Sequence, residues 1–134
     1  MTILKSDRLP IREEADIVRV RQRTRECALA LGFGMVDQTK LVTAASELAR
    51  NALVHGRGGE VLMESLDEGV RRGVRLTFED HGPGIADLAQ AMRDGYTSGG
   101  GMGLGLGGSK RLVNDFEIDS RPGEGTRVCI VRWK

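Results

Sequence analysis

Apolar and polar positions change rhythm several times along the chain, and each rhythm predicts an element. The opening "TILKSDRLPI" reads as a short strand, and Pro10 places it at a sheet edge or near a strand end. From Ala15 the period lengthens. Ile17, Val20, Thr24, Cys27 and Leu31 recur at alternating spacings of three and four, a helical stripe closed by Gly32. In "VDQTKLVTAASELARNALVHG", Leu41, Ala45, Leu48 and Ala52 mark the buried side of a second helix. Asp37 is a candidate cap near its start, and Gly56 its stop. Two strand runs follow, "GEVLMESL" and "GVRLTFED", joined by the polar turn "DEGVRRG". A short helix "ADLAQAM" leads to a glycine-rich stretch, and "GLGLGGSKRLVND" reads as a loop that becomes a helix. The segments "FEIDS" and "TRVCIVRW", joined by "RPGEG", make an antiparallel hairpin. This order predicts an α+β two-layer sandwich, with helices packed on one face of a mixed, mostly antiparallel sheet.

Composition narrows the class. At 134 residues the chain is expected to form one domain, 1–134, with a core of its own. Twenty basic residues balance nineteen acidic ones, which gives no reason to expect nucleic acid or a membrane as partner. Two cysteines, Cys27 and Cys129, suggest no disulfide framework. With neither a signal peptide nor a membrane span in the pattern, a cytoplasmic location is expected. Arg19, Arg21, Arg23 and Arg25 fall off the first helix stripe, as a solvated basic face or as a surface for a partner.

Three places depart from what a core requires. On the second helix Glu47 and Asn51 lie four residues apart, hence on one face. A carboxylate and an amide oxygen at that spacing suit a hard cation or a water. In "FEDHGPGI", Asp80 continues the apolar phase of Val74, Leu76 and Phe78, so a carboxylate points inward. That is costly unless something donates to it. The third place is "GYTSGGGMGLGLGGSK", which holds eight of the nineteen glycines. Repeated glycines before a helix can offer backbone N–H groups to a polyphosphate, with Lys110 as a point charge. The spacing is not that of a P-loop, and Met102, Leu104 and Leu106 alternating among the glycines argue against a mere linker. His81 has no companions at metal-ligand spacing, and His55 extends the Glu47 and Asn51 face.

In this order the three sites resemble the GHKL superfamily of ATP-binding domains, which includes histidine kinases, gyrase-type ATPases, chaperones of the heat-shock-90 class and bacterial serine switch kinases. "ELARN" looks like the N box, "DHGPG" the first glycine box, "GMGLGLG" the second within an ATP lid, and "GEGT" the closing element. The resemblance runs from Ile17 to Arg132. It implies the Bergerat ATP-binding fold, with ATP and Mg²⁺ as cofactors. Asn51 would bind Mg²⁺, and Asp80 would accept from the adenine amino group. Gly82 and Gly84 would make room for the base, with Thr126 beside Asp80. Gly101, Gly103, Leu104, Gly105 and Leu106 would lie along the phosphates, with Arg50 and Lys110 offsetting their charge.

Histidine kinases commonly carry Asn where this chain has Glu47. Serine or water, unlike imidazole, needs a base, and Glu47 is placed to be that catalytic base. "LVTAASELARN" is similar to the anti-sigma-type serine kinases, nearest to the RsbT-type switch kinases of the stressosome. That likeness implies a serine/threonine kinase acting on STAS-domain antagonist or scaffold proteins. Such a kinase then binds and activates a PP2C-type phosphatase, and a sigma factor is a further candidate partner. The alternatives are an anti-sigma factor, a nucleotide-gated binding module with little catalysis, or a simple ATP hydrolase.

Overall fold

A computed structural model of the chain describes residues 1–93 and 105–134. Strand β1 (Thr2–Ile11) is followed by helices α1 (Glu14–Ala30) and α2 (Met35–Val54). Strands β2 (Gly59–Asp67) and β3 (Arg72–Asp80) come next, then the short helices α3 (Leu88–Ala91) and α4 (Gly105–Arg111). The chain closes with β4 (Asp115–Arg121) and β5 (Gly125–Trp133). The five strands form one sheet in the order β1-β2-β3-β5-β4. Every pairing is antiparallel, so the sheet is not mixed as expected. The β2–β3 and β4–β5 pairs are hairpins, whereas β1 and β2 are separated in sequence by α1 and α2, and β3 and β5 by α3, α4 and β4.

Alternation along the strands divides the sheet into two faces. Val61 and Met63 on β2, Val74, Leu76 and Phe78 on β3, and Val128 and Ile130 on β5 are buried in the core beneath α1 and α2. The intervening positions form a charged outer lattice, with Arg8 bonded to Glu60 at 2.6 Å, Arg75 to Glu64 at 2.8 Å and Arg127 to Glu79 at 3.2 Å. The helical stripes meet the inner face as their spacing predicts: Ile17, Val20, Thr24 and Cys27 on α1, and Leu41, Ala45, Leu48 and Ala52 on α2, are all buried. Pro10 sits near the end of edge strand β1, the kind of position in which a sheet tolerates proline.

Helix starts depart from the sequence reading. Asp37 does not cap α2, whose first residue follows Gly34. Its carboxylate instead meets Arg132 of β5 at 2.5 Å, and the same guanidinium donates to the carbonyl of Leu112 at 2.8 Å. A long-range ion pair takes the side chain away from the helix end. On α1, Asp16 reaches back to accept from the backbone N–H groups of Arg12 and Glu13. Led by the Arg12 N–H, these contacts hold its carboxyl below the usual range, with Arg19 adding a charge-assisted bond at 2.5 Å. Arg23 pairs with Asp7 on β1, so two of the four arginines expected on a basic face are neutralised locally.

The β4–β5 connection is a type II turn, with Pro122 and Gly123 central, Gly123 at φ 80°, and Glu124 N–H donating to the Arg121 carbonyl at 2.9 Å. Both cysteines are free thiols, Cys27 in the core and Cys129 on the outer sheet face. Among the described residues no helix is long and apolar enough to cross a membrane.

Candidate nucleotide site

A cavity of about 380 Å³ lies between α2, the ends of β3 and β5, and the segment leading into α3. That volume is within the usual range for small-molecule sites. Its walls bring together residues far apart in sequence: Glu47, Asn51 and His55 from α2, Asp80 from β3, Thr126 from β5, and Gly105 and Leu106 from α4. Apolar surface comes from Leu48, Ala52, Phe78, Ile85 and Val128.

Helix α2 contributes its polar pair as the periodicity requires. Glu47 is only 4% exposed, yet no side-chain hydrogen bond or ion pair engages it among the described residues. Asn51, one turn later, likewise keeps its side-chain amide free of described partners. Its backbone carbonyl accepts from His55 and Gly56, which closes the helix. A buried carboxylate is expensive without a partner, and the described residues supply none to this face of α2.

Asp80 occupies the inner phase at the end of β3, directly opposite Thr126 on β5. Burial pushes its carboxyl above the ordinary range, and the backbone N–H groups of Gly82 and Thr126 partly offset this. The Gly82 N–H donates to Asp80 Oδ1 at 3.0 Å. Beneath the carboxylate lies Gly56. A methyl group there would sit 2.3 Å from the Asp80 carboxyl carbon, so only glycine leaves room for the acid. The helical pattern marks Gly56 only as a stop; its second role depends on where β3 ends.

The glycines of "DHGPG" are used differently from the expectation that they clear space for a base. Gly82 does not line the cavity; a Cβ there would lie 2.7 Å from Gly56 Cα. Gly84 does line it, at φ 74°, and its missing Cβ admits the Arg121 carbonyl of the β4–β5 hairpin. The space each glycine creates is thus filled by neighbouring backbone. Pro83 accepts from the Gly123 N–H at 2.7 Å, and the Ile85 N–H donates to Ser120 Oγ at 2.8 Å. The loop forming one wall of the cavity is therefore stitched to the hairpin.

Gly105 and Leu106 border the cavity at the start of α4. Gly101, Gly103 and Leu104 lie outside the described residues. Arg50 does not join the cavity: its guanidinium reaches Glu14 on α1 at 3.3 Å, because its position on α2 turns it toward the neighbouring helix. Lys110, near the end of α4, is exposed and outside the cavity wall. His81 also lies outside it, on a shallow surface beside Asp119 and Glu124. The sequence marks Gly56 only as a helix stop and gives no signal for Ser120, because both act through contacts between elements.

The chain matches the family model described as "Histidine kinase-, DNA gyrase B-, and HSP90-like ATPase" over residues 36–134. It is 43% identical to "Serine/threonine-protein kinase RsbT" of Bacillus subtilis, across 92% of each chain. It is 29% identical to "Anti-sigma F factor" of Bacillus licheniformis, across 73% of this chain and 70% of that one. In three dimensions 97% of the chain superposes on 33% of a Mycobacterium tuberculosis protein comprising RsbU and RsbW domains, with a TM-score of 0.67 and 21% identity. The mycobacterial sensor histidine kinase MprB gives a TM-score of 0.57 at 20% identity, over 96% of this chain and 97% of that one. Those two likenesses concern the fold. With a family match over most of its length and a cavity holding Asn51, Asp80 and Thr126 together, the chain belongs to the histidine kinase-, DNA gyrase B- and HSP90-like ATPases.

Proposed function

We propose that the protein is an ATP-dependent serine/threonine protein kinase of a bacterial partner-switching pathway. The observation that carries this is Glu47: a buried carboxylate on the cavity wall, without a side-chain partner among the described residues, one turn from an Asn51 that likewise has none there. The relative named RsbT is a serine/threonine-protein kinase, which supports the same reading.

In this reading the adenine end is Asp80, which accepts from the exocyclic amine, with Thr126 beside it. The apolar surfaces of Phe78, Ile85 and Val128 take the flat base. Gly105 and Leu106, on the cavity wall at the start of α4, lie toward the phosphates. The Asn51 amide oxygen, free of described partners, fits Mg²⁺ as one of several oxygen donors. Bound Mg²⁺ would supply charge to phosphate oxygens during transfer. Glu47 takes the proton of the attacking serine or threonine hydroxyl. That hydroxyl oxygen forms a bond to the terminal phosphorus while the bond to the bridging oxygen breaks, leaving ADP. Positioning of the nucleotide by Asp80 and the apolar walls contributes the rest.

The acceptor is proposed to be a serine or threonine on a STAS-domain antagonist or scaffold protein. The kinase, once released, then binds and activates a PP2C-type phosphatase. The test is transfer of labelled phosphate from Mg-ATP to co-encoded STAS-domain proteins, beside Glu47→Ala. Acid-stable label on serine or threonine, reduced about 10²-fold or more by Glu47→Ala with ATP binding retained, is the expected result. If ATP binds but no label reaches any partner, the protein acts as a nucleotide-gated binding module. A sigma factor captured in the ATP-bound state would then place it with the anti-sigma factors.

A further inference from the structure

Ser120, on β4, touches three groups through one oxygen atom. It receives the Ile85 N–H at 2.8 Å, faces the Gly125 carbonyl at 3.2 Å, and lies 2.7 Å from Thr126 Oγ1. A hydroxyl has one proton to give. The Gly125 carbonyl can only accept, and the Ile85 N–H can only donate. All three contacts hold together in one arrangement: Ser120 donates to Gly125, and Thr126 donates to Ser120. The Thr126 proton is then committed away from the cavity, its side-chain torsion is held, and its lone pairs remain to face a ligand.

The same oxygen joins two walls. Ile85 belongs to the loop that lines one side of the cavity, and Thr126 stands opposite Asp80 on the strand that lines another. Ser120 itself is not a lining residue. Among the described residues its side-chain hydrogen bonds run to Ile85, Gly125 and Thr126, and none runs to the Glu47 and Asn51 end.

Resting on the nucleotide reading above, we propose that Ser120 is a positioning residue for base recognition. It acts through Thr126 and Ile85 to hold the end of the cavity that receives the purine, and it leaves the phosphate end untouched.

The experiment is a double-mutant cycle on ATP affinity, measured by calorimetry, with steady-state transfer kinetics alongside. Ser120→Ala is expected to weaken ATP binding roughly tenfold, the worth of one net hydrogen bond. KM should rise and kcat stay within about twofold of wild type, since no group touching the reacting atoms has changed. Ser120→Thr, which keeps the hydroxyl, should restore affinity. In a Thr126→Val background Ser120→Ala should cost much less than it does alone, because the pair acts as a unit. Equal losses in both backgrounds, a fall in kcat matching the rise in KM, or unchanged affinity would each overturn the proposal. A wild-type protein that fails to bind ATP would overturn the nucleotide reading itself, a different result from wild-type binding that Ser120→Ala leaves unaltered.

Discussion

Asp80→Asn separates the cost of building the site from its use. The carboxylate is half-buried, with burial pushing its pKa up and the N–H groups of Gly82 and Thr126 only partly compensating. A raised folded-state pKa means that the unfolded chain ionises Asp80 at lower pH than the native protein does. Above the folded pKa the native state therefore carries a charge it holds less comfortably than the unfolded chain, and Asp80 lowers stability. As pH falls to the unfolded value and below, both states are protonated and that cost disappears. Asparagine keeps an oxygen for the Gly82 N–H at 3.0 Å while removing the charge. The variant should thus melt higher than wild type at neutral pH, and the gap should close on acidification through the range between the two pKa values. Nucleotide affinity should move the other way. The lost contact is one hydrogen bond to a charged acceptor, about 1.5–3 kcal/mol, hence roughly 10- to 150-fold in Kd for ATP. Thermal melts across pH and calorimetric titration with ATP measure both arms. Unchanged ATP affinity would remove Asp80 from base recognition, and a variant less stable than wild type at neutral pH would refute the burial argument.

Other perturbations test neighbouring parts of the site. Asn51→Ala should abolish the Mg²⁺ dependence of ATP binding while leaving the melting temperature within a few degrees, checked by titrating ATP with Mg²⁺ and with EDTA. Gly56→Ala should displace the Asp80 carboxyl, since its methyl would fall 2.3 Å from the carboxyl carbon; ATP affinity should drop at least about tenfold, and a variant binding normally would show that α2 can shift away. Arg132→Met should cost roughly 1–3 kcal/mol in denaturant unfolding, because it strips the Leu112 carbonyl and Asp37 of their shared partner on a largely buried strand. ATP affinity there should change little, as Arg132 lies away from the cavity.

Local pattern alone determined a good deal of this protein. Alternation and helical stripes repeat every two to four residues, so they placed the core residues, the edge strand with Pro10, the inward phase of Asp80, and the shared face of Glu47 and Asn51. These properties depend on chain stereochemistry within one element. Only the tertiary structure decided which side chains meet across elements. Asp37 pairs with a residue 95 positions away instead of capping its own helix, and Arg50 turns to α1 although it adjoins the "ELARN" asparagine. Gly56 lies against Asp80, and Ser120 gathers Ile85 and Thr126. Such contacts follow from strand register, the crossing of α2 over the sheet and the folding of the hairpin onto the 83–85 loop. None of these leaves a period in the sequence, because each is fixed by how separately formed surfaces fit when the core closes.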